Sequence, residues 1–132
     1  MTVNYEELAQ SFETCKIDAS DFSHADHVGV TYEMLRRYDF LDASVRYSNS
    51  IKTIATNAGA VHSTEIQHHY HSAFLSLIAE RIETSAHDSY EEFLEKNPDL
   101  FKGSVLTKWY STDRMQSDLA REVFLMPDSV AA

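Results

Sequence analysis

The sequence predicts an all-α fold, and three observations support that class. The chain has 132 residues, of which 43% are hydrophobic, so it can bury one compact core. It contains three glycines and two prolines, too few for the many turns of an all-β protein. Apolar residues recur at helical spacing in several long segments. We therefore expect a single helical domain over residues 1–132, a bundle of three to four main helices with short C-terminal helices.

The first half of the chain predicts three helices in succession. The first covers about Tyr5 to Lys16, with apolar residues along one side. The second covers about Ser23 to Tyr38, and Ser23 followed by Asp26 three residues later is typical of a capping box. The third runs from Asp42 to Gly59, because glycine tolerates the left-handed conformation that ends many helices.

The second half predicts one long helix and several short ones. The long helix spans residue 66 to about Thr84, and Thr64 with Gln67 is typical of a capping box ahead of it. Shorter helices are expected over Ser89–Lys96, Ser104–Tyr110 and Ser117–Leu125. Short connections favour antiparallel neighbours, so the second and fourth helices, separated by one helix, should run parallel.

Two histidine pairs with the same spacing are the main functional signal. His24 and His27 open the second helix, and His68 and His71 open the fourth. At about 100° per residue, all four fall on the arc that carries the apolar residues of their helix. Residues three apart on a helix can grip one ion or one small ligand. If the two helices are parallel, the pairs lie at the same end of the bundle.

Two interpretations of these pairs remain open. A divalent metal, zinc or iron, would satisfy several buried imidazoles at once and could support a metal-dependent enzyme acting on a small molecule. His62, which precedes the fourth helix, and the hydroxyl of Tyr47 are further candidates for that site. Alternatively, each histidine bonds its own carbonyl or water as an ordinary core residue. The histidines would also suit a metal-free pocket for a small organic ligand, and an interaction module that forms a homodimer is a third alternative.

Charge and composition exclude several classes of partner. The net charge is −10, from 21 acidic against 11 basic residues, and such a surface repels nucleic-acid phosphates. We see no basic amphipathic stretch, no apolar run of the ~20 residues that a membrane span needs, and no signal peptide. Cys15 is the single cysteine, so an internal disulfide cannot form. We therefore expect a cytoplasmic protein that binds neither nucleic acid nor membrane.

Three stretches resemble a family of small, largely uncharacterised helical proteins of bacteria. They are "FSHADH" at 22–27, "FLEKNPDLF" at 93–101 and "WYSTDRMQSDLAREVFLMPD" at 109–128. The resemblance implies one all-α domain and supports His24 and His27 as site residues, but it implies no reaction. Family members carry an aromatic-His-x-Thr stretch before the fourth helix, which residues 61–64 match with valine in place of the aromatic. Either His62 or His68 is then the third histidine of the site.

Overall fold

The computed structural model describes residues 4–59, 68–102 and 104–129, with only the backbone of Ala19, His68 and His69. All regular secondary structure within these ranges is helical, which confirms the all-α class. The α-helices are α1 (Tyr5–Glu13), α2 (His24–Arg37), α3 (Phe40–Asn57), α4 (His68–Thr84), α5 (Tyr90–Lys96), α6 (Thr112–Met115) and α7 (Asp118–Glu122). Turns of 3₁₀ helix lie at Ala19–Asp21, Pro98–Phe101 and Val105–Lys108. None of the helices described here is long and apolar enough to cross a lipid bilayer.

Short polar side chains determine where α2 and α3 begin. The Ser23 hydroxyl accepts from the Asp26 amide, and the Asp26 carboxylate accepts from the Ser23 amide, both at 3.1 Å. The predicted capping box is therefore present. Asp39 caps α3 by accepting from the Asp42 amide at 2.8 Å. The helix consequently begins at Phe40, two residues before the predicted start.

The predicted ends of the first helices were right in one case and wrong in another. Helix α1 ends at Glu13 rather than Lys16, because Cys15 adopts a left-handed backbone with φ of 60° that no helix can continue through. Helix α3 ends at Asn57, and Gly59 follows with φ of 105°, as the glycine stop predicts. The predicted start of the fourth helix at residue 66, and the capping box ahead of it, lie outside the described residues.

The C-terminal third is less helical than the sequence predicted. The helix expected over Ser104–Tyr110 is a 3₁₀ turn, and the helix expected over Ser117–Leu125 ends at Glu122. Helix α6 was not predicted. Ser111 and Ser117 are each the N-cap of a short helix. Because the two caps lie six residues apart, the first helix ends before the second begins, and no long helix forms.

Helix α2 is the centre of the packing. Residues 28–34 are all buried, so almost two turns have no side facing solvent. Val28 and Tyr32 belong to a hydrophobic cluster that α4 and the C-terminal segments complete. Val30 and Met34 belong to a second cluster, which α1 and α3 complete. Because α2 contributes to both clusters, it joins the two halves of the core.

Helices α2 and α4 run parallel, as the sequence analysis expects. At one end the ring centroids of His27 and His71 lie 5.9 Å apart. At the other end Leu35 of α2 and Ile82 of α4 line the same surface cleft. Residues near the start of both helices are therefore neighbours, and so are residues near their ends.

Polar contacts hold the C-terminal segments against α4. The Arg81 guanidinium on α4 donates two hydrogen bonds of 2.9 Å to the Asp99 carboxylate, a paired geometry that is both strong and directional. Farther along the chain, the Tyr110 hydroxyl donates to the Leu125 carbonyl at 3.0 Å. This bond fixes the extended segment 123–129, from which Phe124 faces a cavity beside α4.

Gly29 lies where α1 approaches α2 most closely. The Tyr5 ring covers its backbone so closely that a Cβ at Gly29 would overlap three ring carbons. The same Tyr5 ring contacts Tyr90 edge-on, with ring centroids 5.3 Å apart, and this contact limits how far it can retreat. Glycine inside a helix costs ~1 kcal/mol relative to alanine. The close approach of Tyr5 explains why α2 carries a glycine at this position.

We expect Gly29→Ala to lower the free energy of unfolding by about 1–3 kcal/mol in urea denaturation, because the methyl group forces the Tyr5 ring out of its packing. In a Tyr5→Ala background the same substitution should be neutral or should stabilise the helix by up to ~1 kcal/mol. Equal destabilisation in both backgrounds would contradict the assignment of this contact.

Candidate functional site

A cavity of about 290 Å³ lies between α3 and α4, near the N-terminal turns of α4. Its volume is at the lower end of the range of about 300–1,000 Å³ that small-molecule pockets span. Helices α3 and α4 contribute four lining residues each, and the extended segment contributes one. The lining residues are Phe40, Ser44, Tyr47, Ser48, His71, Ser72, Leu75, Ser76 and Phe124.

The lining residue Tyr47 is hydrogen-bonded to the imidazole of His27. His27 Nδ1 lies 3.0 Å from the Tyr47 hydroxyl oxygen, and the Tyr47 side chain is almost fully buried. Burial lowers the pKa of His27 to about 4, and repulsion from the neighbouring His24 adds to the effect. Burial also raises the pKa of the Tyr47 hydroxyl, and the nearby Thr31 hydroxyl offsets part of that rise. Both members of the pair are therefore neutral at physiological pH.

The neutral state of His27 follows from its position in the fold. It lies in the first turns of α2, where the positive end of the helix dipole disfavours an imidazolium. The Phe22 ring packs edge-on against it, with ring centroids 4.3 Å apart, as in a hydrophobic staple. A neutral imidazole retains one nitrogen lone pair, which is needed to accept a hydrogen bond or to bind a metal.

His71 lies beside the His27–Tyr47 pair. Its ring centroid is 5.9 Å from that of His27 and 6.0 Å from that of Tyr47. The Tyr70 ring packs edge-on against it at 5.5 Å. His71 and Tyr47 both line the cavity, so a ligand there would contact His71 and the phenol of the pair.

His24, in contrast, is directed to another part of the fold. Its Nε2 donates to the Leu100 carbonyl oxygen at 2.9 Å, and its ring packs 5.3 Å from that of Phe74. That nitrogen is occupied and is not open to a metal. His24 therefore behaves as an ordinary core histidine, which bonds a backbone carbonyl, as the second interpretation of the pairs expects.

The remaining histidines of the predicted site are only partly described. His62 lies outside the described residues, and for His68 only the backbone in α4 is described. Within the described part of the chain, no group of three or more His, Cys, Asp or Glu side chains is arranged to hold a metal ion. The metal centre of His24, His27, His68 and His71, with zinc or iron as its ion, stays a prediction.

Other polar residues have structural roles. The Tyr110 hydroxyl donates to the Leu125 carbonyl. His87 lies within hydrogen-bond distance of the Ser85 carbonyl and, at 3.0 Å, of the Tyr32 hydroxyl, and Ser89 caps α5. The His87-Asp88 dipeptide therefore belongs to a helix start.

The serines of the cavity were missed at the level of sequence. Ser44 and Ser48 lie one turn apart on α3, and Ser72 and Ser76 lie one turn apart on α4. Two serines at a spacing of four residues on each of two helices were the signal that could have revealed them. Apolar periodicity alone could not mark them, because Ser72 and Ser76 fall opposite the apolar arc of their helix and Ser48 and Ser72 are exposed.

The chain was compared with protein-family models, curated proteins and solved structures, and none of the three comparisons gave a match. The resemblance to small helical proteins of bacteria therefore stays a prediction. A function has to be inferred from the geometry of the cavity and of the three rings beside it.

We expect stability to fall as the pH is lowered from about 6.5 to about 4. The unfolded chain protonates His27 near its ordinary pKa of 6.5, whereas the folded chain resists protonation until about pH 4. The contribution is therefore complete above pH ~6.5 and is lost as the pH falls, by at most about 3 kcal/mol. Urea denaturation across this range measures it, and His27→Gln should remove most of the pH dependence. A His27 NMR titration with a midpoint near 6.5 would contradict the burial argument.

Proposed function

We propose that the protein binds a small organic molecule in the cavity between α3 and α4. The observation that carries the proposal is the position of His71, which lines the cavity and lies beside the neutral His27–Tyr47 pair. Such a site combines apolar lining residues with a few polar groups that orient a ligand, which is the usual composition of small-molecule pockets.

Binding is favoured over acid–base catalysis by the protonation states of the pair. A general acid or base works best when its pKa is close to the operating pH. The pKa of His27 is about 4, and that of Tyr47 is raised above its ordinary value, so neither group exchanges a proton readily near neutral pH. The pair is uncharged near neutral pH, and any reaction would depend on other groups.

A fragment screen by NMR, with ¹³C-labelled histidine and tyrosine, tests this proposal. Fragments that bind in the cavity should shift the ring signals of His71 and Tyr47 before those of Tyr32, which packs against α5 on the other face of α2. Ser48→Trp should fill the cavity and abolish these shifts. Asn49→Trp is the matched control, because Asn49 is the next residue of α3, is exposed and does not line the cavity. If no fragment shifts these rings, or if both variants bind equally, the cavity is not the binding site.

A metal ion is the second candidate, and the distance of 5.9 Å between the rings of His27 and His71 favours it. Neutral imidazoles are suitable ligands for zinc or iron, and His68 or His62 would supply a further one. We expect His27→Ala and His71→Ala each to abolish stoichiometric Zn²⁺ binding in calorimetry, whereas His87→Ala should retain it. Absence of Zn²⁺ and Fe²⁺ binding to the unmodified chain would eliminate this candidate.

The homodimer and the cytoplasmic location expected from the sequence stay predictions.

A further inference from the structure

The described lining of the cavity has no permanently charged residue. It includes no Lys, Arg, Asp or Glu, and its ionisable members are His71 and Tyr47. A charged ligand meets no fixed opposite charge there, so whatever hydration it loses on binding is not compensated. The net charge of −10 adds a long-range repulsion against anions.

The cavity does offer hydroxyl groups for hydrogen bonding. In the part of the chain that the structure describes, the hydroxyls of Ser48, Ser72 and Ser76 make no hydrogen bond to protein atoms. The Ser44 hydroxyl donates to the Phe40 carbonyl at 2.7 Å and retains its acceptor lone pairs. A ligand with a hydroxyl group can donate to one serine and accept from another.

The remaining lining residues of the cavity are mostly apolar. Phe40 and Leu75 provide aromatic and aliphatic surface, and Phe124 completes the wall. Phe124 and Ser76 also line a second cavity of about 250 Å³, which lies farther along α4 beside Trp109. The Phe124 ring therefore separates two adjoining spaces and limits the length of a molecule in the first.

We propose that the ligand is a short, uncharged alcohol or phenol, whose hydroxyl bonds the serines and whose apolar body packs between Phe40 and Phe124. This inference rests on the proposed function and specifies the chemical class that the cavity accepts. Phe124 is then the residue that sets the maximum length.

Three probes of one shape and different charge test the chemical class. Benzyl alcohol is neutral at about pH 7, benzoate is an anion and benzylammonium is a cation. We expect benzyl alcohol to shift the His71 ring signal with a Kd at least about tenfold lower than either ion. Equal or tighter binding of an ion at His71 would overturn the inference and leave the proposed function intact. Failure of all three probes, while other fragments still bind at His71, would overturn it as well. Failure of every fragment would instead refute the proposed function.

The hydroxyl contacts and the length limit have separate tests. Toluene lacks the hydroxyl of benzyl alcohol, so the preference of the unmodified chain for the alcohol measures the serine contacts. Replacing Ser48, Ser72 and Ser76 by alanine should reduce that preference at least about threefold, whereas Asn49→Ala, which removes a polar side chain outside the cavity, should not change it.

Phe124→Ala should improve the affinity of 3-phenylpropanol relative to benzyl alcohol, because the adjoining space becomes accessible. An unchanged preference in the serine variant, or unchanged relative affinities in Phe124→Ala, would contradict the corresponding part of the inference.

Discussion

The enclosure of α2 is the constraint on which the rest of the structure depends. Its residues 28–34 are buried without interruption, so the helix must be covered by α1, α3, α4 and the C-terminal segments together. Gly29 permits the close approach of α1, and the two hydrophobic clusters on either side hold the other elements. A helix covered in this way carries its first turns into the interior as well. The histidines that open α2 are therefore partly shielded from water by the same packing that forms the core.

This enclosure determines the chemistry of the site. A partly buried imidazole at a helix N-terminus loses hydration and opposes the helix dipole, so His27 remains neutral and pairs with the Tyr47 hydroxyl. The parallel course of α2 and α4 then brings His71 beside this pair. Because α3 lies next to α4, the cavity forms at their junction, with Tyr47 and His71 among its lining residues. The uncharged state of the His27–Tyr47 pair therefore follows from the way α2, α3 and α4 pack together. No charged residue is needed to produce it.

Local sequence signals predicted the elements that depend on neighbouring residues. The Ser23 capping box, the Gly59 stop and the parallel course of two helices were confirmed, because each follows from nearby residues or from chain order. Long-range contacts could not be predicted in this way. The carbonyl that occupies His24 belongs to Leu100, 76 residues away, and no local pattern identifies such a partner. The serines of the cavity were also missed, since Ser48 and Ser72 are exposed and a polar residue beside an open cavity has the same periodicity as any other solvent-facing residue.

The proton between His27 and Tyr47 distinguishes the two candidate functions. If the Tyr47 hydroxyl donates to Nδ1, the imidazole carries its proton on Nε2 and can donate to a ligand but cannot bind a metal there. If Nδ1 donates instead, Nε2 has a free lone pair, and the Tyr47 proton needs another acceptor. The nearby Thr31 hydroxyl is buried and makes no hydrogen bond within the described residues, so it does not accept that proton in this packing. A metal would select the second, because coordination at Nε2 requires the proton on Nδ1, and an organic ligand that accepts a hydrogen bond would select the first.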